Sequence, residues 1–67
     1  MVSNDKTQLK ALLDYWVEHN REHGQEFRDW ADKAEKMGEN EVAEDLLKAV
    51  ANMDKVTETL SGILKKL

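Results

Sequence analysis

Apolar residues recur along the chain at helical spacing over nearly its whole length. Leu9, Leu13, Trp16, Asn20, His23, Phe27, Trp30, Ala34 and Met37 follow one another at alternating steps of four and three. A second series, Ala43, Leu46, Val50, Met53, Thr57, Leu60, Leu64 and Leu67, keeps the same alternation. Such heptad series predict helices that bury one stripe against a partner. Between them stands "MGEN", residues 37–40. Gly38 is a natural left-handed stop, and Asn40 can cap a following helix with Glu41 in its first turn. Ser3 or Asn4 can open the first helix. Period-two alternation of β-branched and aromatic residues, the mark of strands, does not occur.

The pattern therefore predicts an all-α protein, a single domain over 1–67 with helices at about 5–37 and 41–66. They form a long antiparallel helical hairpin. At 1.5 Å per residue the first helix is about 50 Å long. Val42, Leu47, Ala49, Val56 and Ile63 widen the apolar face of the second helix, and Leu12 and Val17 widen that of the first. A face this wide needs cover, which predicts a homodimer closing as a four-helix bundle. Trp16, Phe27, Trp30, Val56, Leu60 and Ile63 are the expected core or dimer anchors. The alternative is a three-helix bundle broken near residues 20–24. Gly24 costs only about 1 kcal/mol in a helix interior, and the register continues in phase across it, so the unbroken hairpin is preferred.

Asn20 and His23 interrupt the first stripe, and Thr57 interrupts the second. An antiparallel hairpin turning at residues 38–40 brings them to similar height, with Asp54 and Glu58 alongside. One expectation is a buried polar layer of Asn20, Thr57 and Asp54 with His23, fixing register. The other is a metal site. His19 and His23 are four apart and project from one face, with Glu26 and Glu22 each three residues from a histidine. Two imidazoles with carboxylates suit nickel, zinc or cobalt. Neither H-E-x-x-H nor the paired E-x-x-H of di-iron bundles is present. Asp14, Glu18, Glu22 and Glu26 form an acidic ridge beside the histidines.

Composition narrows the partners. Lys and Arg number 10 against 14 Asp and Glu, for a net charge of -4. That disfavours nucleic acid and anionic membrane surfaces. No segment reads as a signal peptide or a membrane span. Cysteine is absent, which removes thiolate ligands and suits a cytoplasmic protein.

The segments "WVEHNREH", "FRDWA" and "MGENEVAEDLL" resemble a small, functionally uncharacterised helical family of anaerobic microbes. Its distinctive element is W-x2-HN-x2-H, here Trp16, His19, Asn20 and His23. The resemblance covers about residues 9–64. Members occur alone or joined to a nickel-binding accessory protein of carbon monoxide dehydrogenase maturation, which implies a role near transition metals. Together these features predict a non-enzymatic, metal-binding helical protein. The alternative is a dimeric interaction module, docking a second copy or another protein, in which the polar layer only sets register.

Overall fold

A computed structural model describes residues 2–67, with side-chain surroundings from Asn4 onward. Two helices make up the fold, α1 (Val2–Lys36) and α2 (Asn40–Lys66), packed as an antiparallel hairpin. α1 runs unbroken through Gly24, so the three-helix alternative is excluded. The hairpin measures 54 × 14 × 12 Å between Cα extremes.

The turn follows from a short backbone circuit. Gly38 takes φ 84°. Its N–H donates to the Glu35 carbonyl at 2.9 Å, and the Glu39 N–H donates to the Ala34 carbonyl at 2.9 Å. This is the Schellman closure, which satisfies two carbonyls left open at a helix end. Two expected boundaries shift. α1 begins at Val2, so Ser3 and Asn4 lie inside it. Asn40 is the first helical residue of α2 and does not cap it. Glu39 holds the cap position without a side-chain hydrogen bond.

The seam of α2 is the expected one: Ala43, Val50 and Thr57 are buried, and Leu46, Met53, Leu60 and Leu64 half-buried. The seam of α1 differs from expectation by one residue at every second step. Leu13, Val17, Gly24, Ala31 and Ala34 are buried, with Asn20 and Phe27 half-buried between them. The expected Trp16, His23 and Trp30 give way to their successors Val17, Gly24 and Ala31. Trp16 and Trp30 are 39% and 53% exposed, and Leu9 and Met37 are exposed too. Both registers share Leu13, Asn20, Phe27 and Ala34, so either keeps the four-three step. Small side chains win the inner line because they let two helices approach closely, while an indole there would prop them apart.

Among the anchors expected of the core, Phe27 and Leu60 are half-buried, whereas Trp16, Trp30, Val56 and Ile63 are exposed on the flanks. Exposed apolar residues stand immediately before seam positions on both helices: Trp16 and Trp30 before Val17 and Ala31, Val42 and Val56 before Ala43 and Thr57. Half-buried His23 and Ala49 stand in the same relation to Gly24 and Val50. Seen from one end, the two helices run oppositely and face oppositely. The same rotation away from the seam therefore carries both flanks to one side of the hairpin.

The two interior glycines make opposite predictions. Gly24 is buried, yet a Cβ built on it meets nothing within 4 Å. Gly24→Ala should raise stability by about 1 kcal/mol through helix propensity. Gly38 is equally open, but its φ is left-handed. Gly38→Ala should cost about 1–2 kcal/mol. Paired denaturant titrations of the two variants would show midpoints moving in opposite directions.

Candidate functional site: the imidazole pair on α1

Tyr15, His19, His23 and Phe27 stand four residues apart and form a ladder of rings along α1. Tyr15 and His19 stack with centroids 5.3 Å apart and planes 16° apart. His19 and His23 meet edge to face at 4.3 Å and 87°. His23 and Phe27 are nearly parallel at 6.2 Å. The ladder begins at exposed Tyr15 and ends at half-buried Phe27, beside the seam. Its physical origin is the helix itself, which places residues four apart on neighbouring turns of one face.

At the centre of the ladder the two Nε2 atoms of His19 and His23 lie 2.9 Å apart. One ring donates an N–H and the other accepts through a lone pair. The Glu26 carboxylate lies 3.9 Å from the other nitrogen of His23, Nδ1. That is beyond hydrogen-bond length.

The other expected members of a site are not gathered here. Glu26 faces the outer edge of the His23 ring, away from the two Nε2 atoms. Glu22 lies on the neighbouring ridge, where it lines an open hollow with Asp14, Glu18, Arg21 and Gln25. Among the described residues no group of three or more His, Asp and Glu side chains is placed to hold a metal. One hairpin therefore contributes two nitrogens.

The expected polar layer is also corrected. Thr57 is buried, but its hydroxyl donates to the Met53 carbonyl one turn back, at 2.9 Å. A threonine inside a helix can satisfy itself in this way and needs nothing from across the seam. Asp54 lies at the surface and pairs with Arg28 at 3.3 Å. Asn20 remains at the seam, half-buried. Thr57→Val should therefore change stability by no more than about 1 kcal/mol and leave the helical register intact. Amide exchange protection across the seam would check both points.

Sequence reasoning found the histidine pair but not the ladder. The signal was the spacing of Tyr15 and Phe27 on either side of it. Asp32 and Lys36, one turn apart on α1, pair at 3.0 Å, and Lys48 pairs with Asp45 at 3.8 Å on α2. The Lys33 ammonium sits 4.3 Å above the Trp30 ring, a cation–π contact that shields part of an otherwise exposed indole.

The sequence pattern of DUF8180, a domain of unknown function, matches residues 9–67. The chain belongs to that family. The match takes in the whole seam, the ring ladder and the turn. No curated protein and no solved structure matches the chain. No helix among the described residues is long and apolar enough to cross a membrane.

Proposed function

We propose that this DUF8180 protein is a non-enzymatic helical module that acts by self-association, two hairpins packing face to face into a four-helix bundle. One observation carries this reading: the apolar flanks of α1 and α2 lie uncovered on the same side of the hairpin. A helix in a four-helix bundle has two neighbours and needs an apolar stripe wider than one seam. Each helix here has that stripe and fills only half of it.

Magnitudes point the same way. A compact chain of 7.7 kDa would expose about 4,300 Å², whereas this one exposes 5314 Å². Its radius of gyration is 15.7 Å, against about 11 Å for a compact chain of this length. The long face, 54 × 14 Å in Cα extent, offers an area on the order of 800 Å², which is what each partner contributes to a stable interface. A second copy is the occupant these numbers fit, because the face has the length, width and heptad spacing of the hairpin that would cover it.

The other reading is a metal site within one chain, built by His19 and His23 with Glu26 or Glu22 on nickel, zinc or cobalt. It is favoured by the approach of the two Nε2 atoms to 2.9 Å. It is weakened by the placement of both carboxylates. As part of the leading proposal the protein works in the cytoplasm, and cysteine-free packing suits reducing conditions.

Self-association has a thermal signature. Unfolding that also separates two chains has a midpoint that rises with protein concentration. Melts over a hundredfold range of concentration should show that rise. A midpoint independent of concentration would refute the dimer.

A further inference from the structure

A stripe that runs along α1 into the turn is symmetrical about half-buried His23. Leu9, Trp16, His23, Trp30 and Met37 stand seven residues apart. Outward from His23, each direction meets an indole first and then a flexible apolar side chain. A twofold axis crossing α1 at His23 would set Trp16 against the partner's Trp30, and Leu9 against the partner's Met37. It would also set His23 against the partner's His23. A twofold interface uses the same patch on both copies, so it requires self-complementarity of this kind. α1 spans residues 2–36, so His19 and His23 lie near its midpoint, and each is within about one turn of the axis.

We propose that the two α1 helices of the dimer cross antiparallel at His23, and that His19 and His23 of both copies together bind one divalent transition-metal ion. The inference rests on the self-association reading and supplies what one hairpin lacks. Two nitrogens become four across the axis. The two Nε2 atoms, hydrogen-bonded at 2.9 Å, are near enough for one ion to take both in place of the shared proton, and four imidazole nitrogens suit a divalent transition metal. Tyr15, stacked on His19, holds that ring.

The test uses tag-free protein. Mass is measured by sedimentation with EDTA and with nickel(II), and stoichiometry by calorimetric titration with nickel(II). The expected result is a dimer under both conditions that takes up one ion per two chains. His23→Ala should weaken nickel(II) binding at least a hundredfold and leave the dimer in EDTA intact. Trp30→Glu keeps every imidazole but parts the copies, and should weaken binding at least tenfold while the circular dichroism stays helical. A dimer that binds no ion, or one ion per chain, overturns the shared site and spares the self-association reading. A monomer that binds no ion, or one ion per chain, overturns both. A monomer in EDTA that pairs on half an equivalent of nickel(II) upholds the shared site and overturns association by apolar contact alone.

Discussion

Replacing Leu13 by alanine is expected to cost about 2–5 kcal/mol, the range for emptying a well-packed leucine site. Leu13 is 2% exposed and is the largest side chain so fully enclosed among the described residues. The rest of the buried apolar set is valine and alanine: Val17, Ala31, Ala34, Ala43 and Val50. A seam of small residues brings the helices together but removes little apolar surface per residue from water. Leu13 therefore carries an unusual share of the seam's burial. It lies toward the open end of the hairpin, which the antiparallel course brings near the last turns of α2. There Leu60, Leu64 and Leu67 are half-buried. A chain this short has only a few kcal/mol of net stability, so Leu13→Ala should leave a partly unfolded population at room temperature. Denaturant titration by circular dichroism measures it. A loss below about 1 kcal/mol would mean that the seam is not where the hairpin is held.

Trp30→Glu is expected to have the second large effect, on association and not on the hairpin itself. Trp30 is 53% exposed, so a single hairpin spends little of its stability on that side chain. Burying an indole at the centre of an interface is worth about 2 kcal/mol or more. Each dimer has two copies of the site. The substitution should thus raise the dimer dissociation constant about a thousandfold, since each 1.4 kcal/mol is a factor of ten. Helicity per chain should hardly change. Trp16→Glu should do the same, because twofold pairing sets Trp16 against the partner's Trp30. If either variant lost helix content as fast as association, the tryptophans would belong to the hairpin core after all.

How much of this was legible in the sequence differs between the helices. The seam of α2 reads off directly, because its four-three series runs unbroken from Ala43 to Leu64. The turn reads off Gly38, since few residues other than glycine adopt a left-handed φ readily. α1 is ambiguous. Two heptad lines one residue apart share Leu13, Asn20, Phe27 and Ala34. Hydrophobicity favours the line through Trp16 and Trp30. The structure takes the line through Val17, Gly24 and Ala31, because close helix approach rewards small side chains and the indoles face outward. The clue was present in Gly24, Ala31, Ala34 and Ala43, small residues at heptad spacing on both sides of one hairpin.

The candidate site divides in the same way. The i,i+4 spacing of His19 and His23 was enough to pair them, because that relation is built into the helix. Whether Glu26 or Glu22 joins them depends on side-chain direction, which spacing alone does not determine. Thr57 and Asn20 were matched by height along the hairpin. Height says nothing of a hydroxyl that bonds its own helix, as Thr57 does with Met53. The displacement of Trp16 and Trp30 from seam to flank turns the prediction of a dimer from a matter of spare apolar residues into one of a defined face.

That face is the central claim, and sedimentation equilibrium on the tag-free chain in EDTA tests it most directly. At micromolar concentration the account predicts twice the chain mass of 7.7 kDa, falling toward the single-chain value on dilution. A species of 7.7 kDa that persists to millimolar concentration, fully helical with its tryptophans in water, would contradict it.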